Sequence, residues 1–392
     1  MPEVHARLSA SGAKRWMECP PSVRLEEQFE DKGSEYAREG TLAHELAEAM
    51  IKYNAGKIKK AEFNKKLKAI KDDELFGNDM LDYIESYASQ VWELFNEAKA
   101  ACKDAVIMTE QRVDFGAYVP GGFGTCDVVI ISDDTLHVID LKYGKGVEVF
   151  AENNPQLRLY GLGAADVFDC LYDFEKVKMT IIQPRLGNMS SETMPVNFLR
   201  DWGRYTVRPL AEKAAKGEGE FKAGDHCRFC KARQTCRARA EANMELAKME
   251  FADPELLTDE EIGEVLRVAD QLTAWAKDIA EYALAEAVNH DKKWDGWKLV
   301  EGRSVRKYKD EVKVAEELVK AGFDEAVIYE KKLYGITAME KLLGKKKFGE
   351  VLKDLIDKPA GKPTLVPESD KRPEINKAEA AKEDFKEDFK DE

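Results

Sequence analysis

The stretch Gly124-Thr125-Cys126-Asp127-Val128-Val129-Ile130-Ile131-Ser132-Asp133-Asp134-Thr135-Leu136-His137-Val138-Ile139-Asp140-Leu141-Lys142 decides the fold. Two runs rich in β-branched residues flank the polar turn Ser132-Asp133-Asp134, which is the pattern of two antiparallel strands joined by a tight connection. Side chains alternate across a strand, so Asp140 and Lys142 leave the same face of the second run and set a carboxylate beside an amine. Antiparallel pairing brings Asp127 of the first run near Asp140. Two hard oxygen ligands converging in this way suit Mg²⁺ or Mn²⁺.

Downstream, a helix is predicted from Pro155 to about Phe168, and on it Gln156 and Tyr160 share a face, being one helical turn apart. A further strand is predicted from Val177 to Arg185. Upstream, Val106 to Phe115 alternates loosely as a first strand. Strands, then a helix, then a strand make an α/β core with a mixed sheet.

Asp127, Asp140-Leu141-Lys142, Gln156 and Tyr160 together resemble the PD-(D/E)XK nuclease core in its RecB-like exonuclease branch. The resemblance implies a restriction-endonuclease-like fold, a mixed central sheet flanked by helices, with a helical N-terminal insertion and a mainly helical C-terminal region. The proline that usually precedes the first aspartate is absent, since Cys126 stands there. In Gly40-Thr41-Leu42-Ala43-His44-Glu45-Leu46-Ala47-Glu48-Ala49-Met50, Leu42, Leu46, Ala49 and Met50 form an apolar helical stripe, with His44 and Glu48 on another face. Read alone, His44 is a surface histidine. The Gly-x-x-x-His arrangement is similar to the family motif whose histidine binds metal, which makes His44 a ligand beside Asp127, Asp140 and the Leu141 carbonyl. The resemblance also gives Lys142 the task of stabilising the transition state, with Gln156 and Tyr160 steadying the lysine and the substrate. Glu110, on the first strand, is either an additional acidic contact of the kind the family has here or an ordinary strand glutamate. Lys145, in the loop Tyr143-Gly144-Lys145-Gly146, and Arg185, at a strand end, are candidate DNA contacts.

Seven cysteines in a chain without a secretion signal argue against a disulfide framework. Cys227-x2-Cys230-x5-Cys236 is a strong ligand signal, because short loops force three thiolates together. Cys19, in Trp16-Met17-Glu18-Cys19-Pro20, supplies a fourth by similarity to AddB-type nucleases and the CRISPR adaptation nucleases like them. That resemblance implies a 4Fe–4S cluster held by Cys19, Cys227, Cys230 and Cys236. Zinc, with Cys19 or His226 as fourth ligand, is the chemical alternative. Cys102, Cys126 and Cys170 read as structural.

The chain of 392 residues carries a net charge of −14, which excludes a uniformly basic nucleic-acid coat and leaves room for a basic groove. No apolar run is long enough to cross a membrane, and the start lacks a signal peptide's apolar core, so a cytoplasmic protein without membrane contact is expected. Residues 51–104 read as helical scaffold. The expected organisation is a nuclease domain with the cysteines over 1–250, a helical and hairpin accessory domain over 251–357, and an extended linker with an acidic disordered tail over 358–392. The accessory region includes a helix opening on the capping box Thr258 to Glu261, and a hairpin around Trp294–Val300 and Arg303–Tyr308. The whole chain resembles phage-encoded RecB-like proteins. By that resemblance it is a metal-dependent DNA exonuclease of phage recombination, repair or replication in a bacterial host cell, with DNA and a phage single-strand-binding or recombination protein as partners. The alternative is a non-cutting DNA-binding accessory protein on the same fold.

Overall fold

The computed structural model describes residues 6–30, 33, 35–247, 258–300, 311–321, 339, 343–352 and 355. Contacts gather Met1–Lys292 into one unit and Lys293–Glu392 into another.

The first unit is an α/β structure built on one five-stranded sheet, ordered β1-β2-β3-β4-β5. β1 (Val106–Asp114), β2 (Phe123–Ser132) and β3 (Thr135–Leu141) form an antiparallel meander. The turn between β2 and β3 is made by Asp133 at φ 42°, a conformation that aspartate tolerates because its short polar side chain bonds locally. Helix α6 (Pro155–Phe168) then carries the chain back, and β4 (Lys176–Gln183) lies parallel to β3. The expected α/β class and mixed sheet are therefore present, with the predicted element bounds met to within a residue or two for β1, β3, α6 and β4.

One strand escaped the sequence reading. β5 (Asn188–Pro195) pairs antiparallel with β4 at the sheet edge. Its residues Asn188-Met189-Ser190-Ser191-Glu192-Thr193-Met194-Pro195 hold one β-branched residue and no aromatic, so the local propensity is weak. Tertiary hydrogen bonds hold it instead: Ala151 N donates to Ser190 Oγ at 2.9 Å, and Arg158 pairs with Glu192.

Both faces of the sheet are covered, which explains why its strands read as near-continuous apolar runs. Val129, Ile131, Leu136, Val138, Val177, Met179 and Ile181 pack with α6 and with α1 (Ala13–Glu18), α7 (Val196–Trp202) and α8 (Arg208–Lys216). Val128, Ile130, Ile139, Leu141 and Ile182 pack the other way, onto α3 (Glu35–Asn54) and α5 (Asn78–Ala101). Two short helices complete the N-terminal scaffold: α2 (Ser22–Glu26) follows α1, and α4 (Lys60–Lys71) follows α3. A single π-helical turn, Gly203–Val207, joins α7 to α8.

The alternation breaks at one place. Cys126 belongs to the α6 side and Val128 to the α3/α5 side, although an unbroken strand would point both the same way. On the neighbouring strand Ile107 and Val113 show the same reversal. The ladder pairs Thr109 with Val128 and Gln111 with Cys126, so Glu110 and Asp127 stand opposite one another at the break. Glu110 takes φ 50°, a costly conformation for a residue with a long side chain.

A polar row runs from buried His137 on β3 through buried Thr180 on β4 to exposed Ser191 on β5, with His137 Nε2 and Thr180 Oγ1 2.8 Å apart and Thr180 Oγ1 and Ser191 Oγ 2.7 Å apart. Burial, with Lys178 nearby, pushes His137 down to about 3. The unfolded chain protonates this imidazole below its ordinary value of 6.5 and the native chain does not. Stability attributable to His137 should therefore be whole above that value and fall with pH, at about 1.4 kcal/mol per pH unit, down to the folded value. Denaturant titrations from pH 7 to 4 should show a shallower decline for His137→Gln; parallel profiles would contradict the buried neutral imidazole.

Helix α9 (Arg237–Ala247) and helix α10 (Asp259–His290) follow the cysteine loop. The expected capping box is formed, with Glu261 N donating to Thr258 Oγ1 and Thr258 N to Glu261 Oε2. α10 falls in the first unit, where its Asp278 pairs with Arg233 at 3.2 Å and Arg239 at 2.5 Å.

In the second unit, α11 (Glu311–Lys320) and α12 (Lys345–Leu352) are described. Trp294–Val300 contains no strand, and Arg303–Tyr308 lies outside the described residues, as does the whole expected linker and acidic tail over 358–392. Among the described residues no helix is long and apolar enough to cross a membrane.

Candidate functional site

Three layers meet at the break in β1 and β2. α3 brings His44 from one side, β2 and β3 bring Asp127 and Asp140, and α6 brings Gln156 and Tyr160 from the other. Because β3 ends at Leu141, Lys142 stands just past the carboxyl end of a strand, beside the crossover into α6, the usual place for chemistry in an open α/β sheet.

The reversal at Asp127 lets one carboxylate serve two layers. Its Oδ1 lies 3.1 Å from His44 Nδ1, and its Oδ2 accepts the Leu141 backbone N–H at 2.7 Å. Burial raises the Asp127 carboxyl, but the His44 charge and hydrogen bond, the Leu141 amide and Lys142 outweigh it and hold the group below the ordinary aspartate range. On His44, burial alone would lower the imidazole; Asp127, by charge and hydrogen bond, and then Asp140 carry it up to about 9.

Asp140 behaves oppositely. Burial and the neighbouring Asp127 raise its carboxyl, and Lys142 offsets only part of this. Lys142 Nζ pairs with the buried Asp140 Oδ2 at 2.8 Å. Gln156 completes the network. Its Oε1 accepts from Lys142 Nζ at 2.8 Å, while Nε2 donates to Asp140 Oδ1 at 3.3 Å and to the Tyr160 hydroxyl at 3.4 Å. Asn154 fixes this end of α6 by accepting from Gln156 N and Leu157 N, with Pro155 at the first helical position. Gly124 on β2 makes room for Tyr160, because a Cβ there would sit 2.6 Å from the ring.

Glu110 is pushed up to about 7 by burial and by Asp127 and Glu48, against His44 and Lys52. The β1–β2 ladder sets it opposite Asp127, beside the acidic cluster. Two further residues join it. Glu48, one turn beyond His44, is ion-paired with Lys52. Tyr87 on α5 is fully buried, its hydroxyl has no hydrogen-bond partner, and after burial the charges of Asp127, Asp140 and Glu110 raise it further. Tyr87 also belongs to the core that α3 and α5 share. Its hydroxyl was the available signal, since a buried tyrosine oxygen calls for a partner.

The residue types fit a hard divalent cation, since two carboxylates and an imidazole converge. They are engaged with one another, His44 with Asp127 and Asp140 with Lys142, and among the described residues no three His, Cys, Asp or Glu side chains stand in ligating geometry. Lys145 is exposed in the loop after β3. Arg185 is occupied, pairing with Glu39 at 2.9 Å and stacking over Tyr143 at 4.7 Å.

The cysteine set lies elsewhere in the same unit. Cys19 caps α1 and takes the Lys222 N–H at 3.5 Å from its sulfur. Cys227 lies in the 3-10 turn Asp225–Phe229, and Cys236 precedes α9. Burial raises the Cys227 thiol, and Cys236 and Cys19 add like charge, so these three are electrostatic neighbours. Burial, Glu26 and Cys227 push Cys230 up to about 12. Glu26 of α2 ties the N-terminal helices to this loop, accepting from Arg15 Nε at 2.9 Å and Lys231 N at 2.7 Å. His226 already donates Nε2–H to Lys222 O at 2.8 Å. Thiols are the soft donors that hold zinc or an iron–sulfur cluster, although among the described residues no three of these cysteines stand in ligating geometry. Of the other cysteines, Cys126 is buried, Cys102 half-buried and Cys170 exposed.

The crystal structure of SSO0001 aligns with 61% of this chain and 89% of that one, at 14% identity and a TM-score of 0.28. A family model described as "Protein of unknown function (DUF2800)" matches residues 5–373, and the chain belongs to that family.

Proposed function

We propose that the chain is a metal-dependent deoxyribonuclease of the PD-(D/E)XK type, hydrolysing phosphodiester bonds. One observation carries the reading: His44 bonds Asp127, Lys142 and Gln156 bond Asp140, and the Leu141 amide on Asp127 links the two sets at one buried place. His44, Asp127, Asp140 and the Leu141 carbonyl would hold Mg²⁺ or Mn²⁺, which supplies charge neutralisation at a phosphate and acidifies water.

The chain's own residues do the rest. Lys142 presents an ammonium held between Asp140 and Gln156, so its position is fixed before substrate arrives and its protons are available to a non-bridging phosphate oxygen. Gln156 can orient Lys142 only through Oε1, because its amide nitrogen is spent on Asp140 and Tyr160. Burial and the Asp140 charge raise the Tyr160 hydroxyl, which stays protonated and acts as a fixed dipole. A 4Fe–4S cluster on Cys19, Cys227, Cys230 and Cys236 would clamp α1 to the loop after α8 and contribute to folding, with zinc the alternative occupant.

Linear duplex and single-stranded DNA incubated with the full chain test the reading. Shortening of either strand only when Mn²⁺ or Mg²⁺ is added is expected. Intact DNA under every divalent-ion condition, from protein that binds Mn²⁺, would favour the non-cutting alternative.

A further inference from the structure

Away from the carboxylate network, one surface reverses the charge of the chain. Between Lys57 and Lys71 there are seven lysines and one acid, Glu62, a local charge of +6 in a protein of −14. α4 explains their arrangement. Phe63, Leu67 and Ile70 face inward at helical spacing, which leaves Lys60, Lys65, Lys68 and Lys71 exposed on the outer surface. Among the described residues none of the seven lysines takes part in an ion pair. The acids that follow are already engaged in part: Asp73 accepts the Leu75 N–H and Glu74 pairs with Arg38.

Two contacts place this surface next to the candidate site. Lys57 Nζ donates to Ile107 O at 2.6 Å, three residues before Glu110 on β1, and so pins the α3–α4 connection to the sheet edge. The short connection returns α4 along α3, the helix that carries His44, and just past the end of α4 Glu74 pairs with Arg38 of α3 at 3.0 Å. The basic character continues onto α5. A cleft of about 540 Å³ beside Trp92 and Phe95 is lined by Lys57 and Lys99 and by no acid.

We propose that the lysine face of α4 is a docking surface for the phosphate backbone of duplex DNA, holding the duplex beside the site. Unpaired cations at successive turns follow a line of phosphates, and a chain so acidic elsewhere repels DNA except where such a face meets it. The inference rests on the phosphodiester reading of the site but is tested apart from it.

Binding of the full chain to a blunt duplex is measured by fluorescence anisotropy across a salt series without added divalent cation, so that cleavage plays no part. Lys60→Glu/Lys68→Glu should weaken binding at least tenfold near 0.1 M salt. It should also reduce the slope of log K against log salt by about 2, one for each lost contact. Lys60→Gln/Lys68→Gln, which adds no repulsion, should reduce the slope equally. Lys213→Glu/Lys277→Glu, which changes the net charge by the same amount on other helices, should stay within twofold of wild type. Equal binding by wild type and the α4 variants, or no duplex binding by wild type, would overturn the proposal. Loss of cleavage with this binding intact would instead count against the nuclease reading alone.

Discussion

Asp140→Asn should lower Mn²⁺-dependent DNA cleavage by roughly three orders of magnitude, about 4 kcal/mol of barrier, and leave the protein folded. The substitution keeps the shape of the side chain, so the contact with Gln156 survives in altered form. It removes the carboxylate that the cation and Lys142 both need. The same change should preserve or raise the melting temperature measured without divalent ions. Burial and Asp127 already push the Asp140 carboxyl up, which means that the native state carries a like-charge cost that the amide relieves. Loss of activity with undiminished stability separates a functional carboxylate from a structural one. Retention of more than a tenth of wild-type cleavage would remove Asp140 from the mechanism, and a large fall in melting temperature would make the carboxylate a fold determinant.

Cys230→Ser should have the largest effect on stability. Cys230 is buried and stands in the loop that Glu26 and Arg15 tie to the N-terminal helices, so a group held by the four thiols, as proposed, would also close the chain between residue 19 and residue 236. Losing one ligand should cost several kcal/mol and lower the melting temperature by about 10 °C or more. If the occupant is a 4Fe–4S cluster, absorbance near about 400 nm disappears with it; if it is zinc, the wild type is colourless and loses about one equivalent of zinc per chain. Cys170→Ser, at an exposed position, should change neither. A Cys230→Ser protein that melts with wild type and never carried metal would leave the four cysteines as ordinary reduced thiols.

The parts of the fold that were legible share one property, a periodic apolar pattern with local turn chemistry. β2, β3 and α6 carry both, and Asp140, Lys142, Gln156 and Tyr160 share one network because strand alternation and helical spacing fix their directions, with Asp127 joined through the Leu141 amide. His44 was harder, since nothing on α3 says which strand it meets; similarity to a motif supplied the expectation, and the hydrogen bond to Asp127 is where the chain places it. β5 was illegible because polar contacts from α6 and the loop before it hold that strand, while its own residues have little strand preference. The reversal at Glu110 and Asp127 was hidden for another reason. It is a backbone event, a positive φ at a glutamate, and no residue type at that position announces it. Glu48 was visible on the His44 face and Tyr87 is core, but neither pattern says that the two stand near the acidic cluster.

The central claim is that His44, Asp127 and Asp140 hold a single divalent ion. Crystals soaked in MnCl₂ and measured at the manganese absorption edge test it most directly. The account predicts one strong anomalous peak within coordination distance of the His44 imidazole and both carboxylates, absent in Asp140→Asn. A peak bound elsewhere, or none at these three side chains at millimolar Mn²⁺, would contradict it.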